Sequence, residues 1–341
     1  MKRKTPYYEF DVEKFSSLLE HYSNIGDLFY PIKANSHELV LNRVILHGAS
    51  FEVDTIMQAE LLINKYHVSP NSILYSKPIR SMYDISLALR YGVRFFVIDS
   101  IEEYVKINQL CKSCRLLIRI CINDIINNDY LELNKWGLAK TSIPNLIDNI
   151  ENDGHEYMGL SFYIPSLVYS FENFSKALSY CAPYCYGKTI NVGGGLDGWL
   201  ADNRYIDFLN VIKEQHNIQQ VIIEPGRNLL DPCFTIITTV VARRTQNGNE
   251  WLYIDSGVYA GLLDAALYEK SYNIVSEKSC DVLIDYYISG NTSDIRDNLG
   301  KHKLPNNILA GDTLKILDCG AYSLNMIMEF SGYNKIDVIK T

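Results

Sequence analysis

The chain predicts a two-part α/β protein, a closed (β/α)8 barrel followed by a β-rich domain. Three observations carry this expectation. Between Leu28 and Gly226, short β-rich apolar runs alternate with longer segments of helical periodicity, the pattern of parallel strands joined by crossover helices. The alternation repeats eight times, enough to close a barrel. After about Leu229 the long helical segments cease and strand-like runs follow one another.

In order, the barrel strands are expected at Leu28 to Ile32, Phe51 to Asp54, Ile73 to Ser76, Arg94 to Asp99, Leu116 to Ile120, Tyr157 to Tyr163, Thr189 to Val192 and Gln220 to Glu224. The intervening segments carry helix-start signals. In Ser100 to Cys111, either Asp99 or Ser100 can accept a hydrogen bond from first-turn amides, and Glu102 and Glu103 sit near the positive end of the helix dipole. In the second domain the expected strands are Phe234 to Ala242, Trp251 to Ser256, Asp281 to Ile288 and Thr313 to Leu317.

Composition narrows the function. A chain of 341 residues with 47% hydrophobic content can bury the core of a barrel plus a smaller domain. A formal net charge of -8, with no long Lys/Arg run, argues against a surface for polymeric nucleic acid. Met1-Lys2-Arg3-Lys4 is basic, but tyrosines and acids between Pro6 and Glu13 replace the apolar stretch of an export signal, so a cytoplasmic location is expected. No apolar run reaches the roughly 18 residues of a membrane span. Cys111 and Cys114 form a CxxC, yet no second pair completes a metal site, and no metal is expected.

The chemistry starts at Tyr30-Pro31-Ile32-Lys33-Ala34-Asn35, which puts a lysine at the end of an apolar strand run. Its amine can hold a carbonyl cofactor covalently, provided burial and neighbouring cations let it lose its proton. Taken alone this is an ordinary surface lysine. Three segments downstream change that reading: Val192-Gly193-Gly194-Gly195, Glu224-Pro225-Gly226-Arg227 and Gly320-Ala321-Tyr322. Glycines after a strand and ahead of a helix let backbone N–H groups approach a phosphate at a helix N-terminus. Lys77 also ends a strand run, but without such company it reads as a solvated loop lysine.

In this order and spacing the segments resemble those of the fold-type III pyridoxal-phosphate decarboxylases, the family of ornithine, diaminopimelate and carboxynorspermidine decarboxylases. The resemblance runs from about Thr5 to Tyr333. It implies a pyridoxal-phosphate-binding barrel of the alanine racemase type over residues 14–229, inserted in a β-rich domain made of 1–13 and 230–341. It implies pyridoxal 5'-phosphate on Lys33, with Gly193, Gly194, Gly195, Gly226, Arg227, Ser166 and Tyr322 around the phosphate. Arg119 and Glu52 match family residues near the cofactor. Glu224 would face the pyridine nitrogen, keeping the ring protonated as an electron sink for the carbanion left by departing carbon dioxide. Alanine racemases carry arginine there, so Glu224 favours decarboxylation.

Two departures stand out. Tyr163, in Ser161-Phe162-Tyr163-Ile164-Pro165-Ser166, replaces the histidine that stacks on the ring; a phenol stacks as well but does not titrate near neutrality. In Gly290-Asn291-Thr292-Ser293-Asp294, Ser293 replaces the cysteine that protonates the α-carbon, so Tyr163 or a water held by Asp294 must return the proton. In the family this element enters the partner subunit's site, which implies a homodimer with shared active sites. Glu269, Tyr259 and Asp294 match positions that contact substrate.

The leading expectation is a decarboxylase acting at the α-carbon of an amino acid, or of an aminocarboxypropyl group on a larger substrate. The chain is similar to the decarboxylase part of microcin-C-type maturation enzymes, which implies a peptidyl-nucleotide antibiotic precursor as substrate and a chain that stands alone or comes from a larger fusion. The alternatives are an amino-acid racemase of the same barrel family and a catalytically inactive, decarboxylase-like binding protein.

Overall fold

The computed structural model of the chain describes residues 3–127, 131–165, 168–196, 198–332 and 336–341. A first strand, β1 (Tyr7–Phe10), belongs to the sheet of the second unit. Then β2 (Asp27–Pro31), β3 (Ser50–Val53), β4 (Ile73–Tyr75), β5 (Phe95–Ile98), β6 (Arg115–Arg119), β7 (Glu156–Ser161), β8 (Thr189–Asn191) and β9 (Gln220–Ile223) pair in sequence order into a closed parallel barrel. β9 closes it against β2, with Asp27 opposite Ile222 and Leu28 opposite Ile223. All eight expected barrel strands are present, with ends that shift slightly. β7 stops at Ser161, leaving Tyr163 on the loop that follows.

Strands such as β4 and β5 are buried at every position. Parallel strands covered on both faces need unbroken apolar runs, which is why these read so clearly in the sequence. Phe29, Leu74, Phe95, Val97, Leu117 and Ile222 pack together with Met158 from six different strands. Each such side chain contributes roughly 1.5–3 kcal/mol when taken fully out of water.

The helix Ile101–Leu110 starts as expected, with the Ser100 hydroxyl accepting the Glu103 N–H at 3.3 Å. Asp99 has a different task and accepts the Gly137 N–H at 3.0 Å. Glu103 lies in the first turn as expected and has a further task. It is 2% exposed and pairs with Arg80 and Lys106. The Arg80 guanidinium, also buried, donates to the carbonyls of Tyr75 at 3.0 Å and Val97 at 2.6 Å, and a buried cation requires a counter-charge.

The second unit is a sheet of eight strands that includes β1. Its other members are β10 (Phe234–Gln246), β11 (Asn249–Ile254), β12 (Asn273–Ser276), β13 (Leu283–Gly290), β14 (Asn298–Pro305), β15 (Thr313–Leu317) and β16 (Asp337–Lys340). The order is β12-β15-β10-β11-β13-β14, with β1 antiparallel to β10 and parallel to β16. The strands β12, β14 and β16 were not expected. β14 carries Lys301, His302 and Lys303 in its middle, so its sequence lacks an apolar run.

Packing divides the chain into Glu20–Ile32 with Asn42–Pro225, and Met1–Leu19 with Lys33–Leu41 and Gly226–Thr341. The lysine segment therefore packs with the β-rich unit, although it directly follows a barrel strand. Among the described residues, no helix is long and apolar enough to cross a membrane.

Candidate active site

In the barrel unit, the ends of β8 and β9 bring the triple glycine and Glu224 together. Asn191, the last residue of β8, is 1% exposed. Its Nδ2 donates to Glu224 Oε1 at 2.7 Å, and its Oδ1 accepts the Gly193 N–H at 2.9 Å. The Glu224 N–H donates in turn to the Gly193 carbonyl at 2.9 Å.

Gly193 has a φ of 71°, the left-handed region. A Cβ on Gly194 would stand 2.4 Å from the Glu224 carbonyl oxygen, and one on Gly195 would stand 2.3 Å from that of Ile164. Backbone packing therefore demands glycine. The N–H of Leu196 donates to the Gly194 carbonyl at 3.0 Å, whereas the N–H groups of Gly194 and Gly195 meet no acceptor among the described residues. Those two amides are the donors an anion would find. The Gly193 N–H is committed to Asn191, and among the described residues the next helix begins only at Arg204, which corrects the expectation of a helix N-terminus at the turn.

Arg119 ends β6, and its guanidinium lies 5.8 Å from the centre of the Tyr163 ring. Burial pushes its pKa down while Glu224, and after it Asp99 and Tyr163, push it back. An arginine stays charged under that load. Tyr163 is 41% exposed. Glu52, on β3, is fully buried and accepts a short hydrogen bond from the Ser76 hydroxyl just beyond β4. Lys77 is exposed, as expected.

In the β-rich unit, the lysine segment is stitched to the segment from Gly320 to Asn325. The Tyr322 N–H donates to the Ala34 carbonyl at 2.7 Å, Asn325 Nδ2 to the Lys33 carbonyl at 3.1 Å, and Asn35 Nδ2 to the Gly320 carbonyl at 3.0 Å. Tyr322 has a φ of 51°, unusual for a bulky residue and held here by its surroundings. A Cβ on Gly226 would lie 3.3 Å from the Tyr322 hydroxyl and 3.7 Å from Ala34 Cβ. The Arg227 guanidinium stands 4.8 Å from the centre of the Tyr322 ring and ion-pairs with buried Asp264. Burial works against its charge, but the bond to Asp264 and the nearby Asp231 outweigh it and raise its pKa.

A second polar knot joins the loop 290–297 to the loop of Tyr259. The Tyr259 hydroxyl donates to Asp294 Oδ2 at 2.7 Å, which holds the Asp294 carboxyl below its usual range and pushes the phenol up. Beneath it, Asp297 is fully buried, its Oδ1 accepting the Val258 N–H at 2.8 Å and its Oδ2 the Thr292 hydroxyl at 2.7 Å. Ser293 and Glu269 are exposed, Glu269 with a φ of 52°. Neither shares a hydrogen bond with Tyr259 or Asp294. Ser166 lies outside the described residues.

Asn191, Asp264, Asp297 and Asn325 were missed by the sequence reading. Asn191 had a signal: it is a carboxamide ending a buried strand, two positions before a glycine. Asp264 and Asn325 had none, because each finds its partner across a long stretch of chain, and Asp297 meets Thr292 in its own loop but needs Val258 from far along the chain.

In each unit taken by itself, the groups present fit part of a phosphate-bearing aldehyde with a basic ring nitrogen. In the barrel unit the carboxylate of Glu224 suits a ring nitrogen and the amides of Gly194 and Gly195 a phosphate; in the β-rich unit the amine of Lys33 suits an aldehyde.

Residues 12–231 match the family model for the pyridoxal binding domain of pyridoxal-dependent decarboxylases. Curated relatives include ornithine decarboxylase of Neurospora crassa, 26% identical with 91% of this chain and 75% of that enzyme covered. Antizyme inhibitor 2 of Xenopus laevis is 23% identical, with 91% of this chain and 74% of that protein covered. Among solved structures, the Paramecium bursaria Chlorella virus arginine decarboxylase bound to agmatine superposes with a TM-score of 0.89 at 20% identity, covering 99% of this chain and 96% of that one. With an alanine-racemase-type barrel carrying these groups, the chain belongs to the pyridoxal-dependent decarboxylase family, carboxy-lyases that use pyridoxal 5'-phosphate.

Proposed function

We propose that the protein removes the α-carboxylate of an amino acid, or of an aminocarboxypropyl group carried by a larger substrate such as a peptidyl nucleotide. The observation that supports the reaction class is the Glu224 carboxylate, held by Asn191, at the position where the resemblance sets a racemase's arginine. When bound, pyridoxal phosphate supplies a protonated ring that takes up the electron pair left by the departing carboxylate.

The chain's own residues bind and orient. Lys33 holds the aldehyde and Glu224 keeps the ring nitrogen protonated. The amides of Gly194 and Gly195, with Arg227, Tyr322, Gly226 and Ser166, hold the phosphate. Tyr163 covers the ring, with Arg119 and Glu52 fixing the charge around it. Asp294, kept ionised by Tyr259 beside it, offers a carboxylate to a cationic or N–H-bearing end of the substrate, and Glu269 is a further substrate contact. A serine hydroxyl is a weak acid, so Ser293 returns no proton quickly; Tyr163, or a water on Asp294, does so. The loop bearing Ser293 and Asp294 serves the site of a second copy, which makes a cytoplasmic homodimer the working unit.

The relation to antizyme inhibitor 2 raises one competing reading, a decarboxylase-like binding protein. Retention of Lys33 and Glu224 opposes it. The test incubates cofactor-loaded protein with ornithine, lysine, arginine, diaminopimelate and aminocarboxypropyl nucleotides, recording carbon dioxide and product mass. Carbon dioxide release, abolished by Lys33→Ala, is expected. Inverted substrate without gas would mean racemisation, and no turnover of any candidate would favour the binding protein. Release from simple diamino acids alone would remove the larger substrate.

A further inference from the structure

Asn191 links two parts of the site through one side chain. It is 1% exposed, with one amide arm on Glu224 Oε1 at 2.7 Å and the other on the Gly193 N–H at 2.9 Å. The Glu224 N–H to Gly193 carbonyl bond, also 2.9 Å, closes a ring of three hydrogen bonds. The backbone N–H fixes which arm is oxygen, so the nitrogen must face the carboxylate. A carboxamide is suited to this place because it offers a donor on one arm and an acceptor on the other. Aspartate would keep only the acceptor, and leucine would keep neither. In a buried setting, a polar group left without its partner costs more than the bond itself contributes.

We infer that Asn191 is a positioning residue that locks the Glu224 carboxylate and the glycine turn into one register, so that the ring nitrogen and the phosphate of the cofactor are gripped together. The inference rests on the cofactor reading given above. Asn191 thereby sets the preference for pyridoxal phosphate over pyridoxal, which lacks the group the turn would hold.

The experiment measures equilibrium affinity for pyridoxal phosphate and for pyridoxal in wild type, Asn191→Leu and Asn191→Asp, together with the melting temperature of each cofactor-free protein. Asn191→Leu is expected to lose roughly tenfold or more in affinity for pyridoxal phosphate, and less for pyridoxal. Asn191→Asp, which still accepts from Gly193, is expected to keep the wild-type ratio between the two ligands while binding both more weakly. A purely structural role would lower the melting temperature and leave that ratio unmoved in both variants. Unchanged affinities in Asn191→Leu, or equal losses on both ligands in both variants, would overturn the inference. Should Asn191→Leu fail to fold, Asn191→Ala, which likewise keeps neither arm, takes its place, a larger loss for pyridoxal phosphate than for pyridoxal supporting the inference and an unmoved ratio refuting it. Wild-type protein that binds neither ligand would defeat the cofactor reading itself, and that result appears before any variant is made.

Discussion

In the barrel unit, two glycines of the turn are confined by main chain: Gly194 and Gly195 pack against the carbonyl oxygens of Glu224 and Ile164 too closely for any side chain, with Asn191 holding Gly193. In the β-rich unit the corresponding work falls to side chains, with Asp297 gathering the Val258 and Thr292 donors and Tyr259 capping Asp294. Main-chain packing of this kind tolerates almost no substitution. Side-chain knots can be exchanged piecemeal, and the departures from the family pattern at Ser293 and its neighbours sit on such a knot. The contrast suggests that cofactor binding is the rigid half of the function and substrate choice the adjustable half.

Several measurements can break or sharpen this contrast. The largest effect is expected from Gly194→Ala, whose new methyl would meet the Glu224 carbonyl oxygen at 2.4 Å. Overpacking of this sort destabilises by about 1–3 kcal/mol, and here it displaces Glu224 as well, so cofactor binding should be lost; normal binding would mean the turn is not held by its backbone. Next comes Asp297→Ala in the β-rich unit, which strips buried donors of their acceptor at a cost of about 3 kcal/mol in denaturant unfolding. Its catalytic effect should appear in KM more than kcat, and cofactor affinity should hold. A loss of cofactor affinity equal to that of Gly194→Ala would erase the distinction.

Tyr259→Phe should be milder, raising KM several-fold. Tyr259 holds the Asp294 carboxyl low, so the carboxylate is present above the usual carboxylate range and is lost as pH falls through its depressed pKa. Removing the hydroxyl should move the acid limb of kcat/KM upward in pH. A limb that stays in place would mean Asp294 does not meet the substrate.

His155, 5% exposed in the barrel unit, gives a smaller test of stability. Burial lowers its pKa, with Lys112 acting in the same sense, and its Nδ1 accepts the Cys114 N–H at 3.2 Å. Unfolded histidine protonates near ~6.5 while the folded residue resists, so stability should fall as pH drops below that value and through the lowered pKa. In His155→Gln the melting temperature should vary less with pH over that range.

The slightest effect concerns the CxxC. Burial opposes ionisation of Cys111, but hydrogen bonds from Ser113 and Cys114 and the charge of Arg94 win and pull its thiol down. Burial pushes Cys114 up to about 12. A thiol reagent should label Cys111 well before Cys114, as mass spectrometry would show.

Much of the barrel was legible in the sequence because each strand is buried on both faces and announces itself by composition within a few residues. The glycine turn and Glu224 were legible for the same reason, lying at the ends of such strands. The β-rich unit was harder. β14 carries Lys301, His302 and Lys303 in a row at its middle, and β12 and β16 are short, so pairing partners far along the chain decide that they are strands at all. The supporting residues followed the same rule: Asn191 could have been suspected from its place before the glycines, whereas Asp264 needed Arg227 beside it in space to acquire a meaning.

The nine residues Lys33–Leu41 pack with stretches from both ends of the chain while the strand before them belongs to the barrel. No single cut can therefore release a barrel with its lysine intact. Truncation after Pro225 would strip Ala34 and Asn35 of their partners at Tyr322 and Gly320. Anyone seeking a minimal cofactor-binding fragment should instead permute or retain the whole polypeptide, because the lysine proposed to anchor the aldehyde is the first to lose its footing.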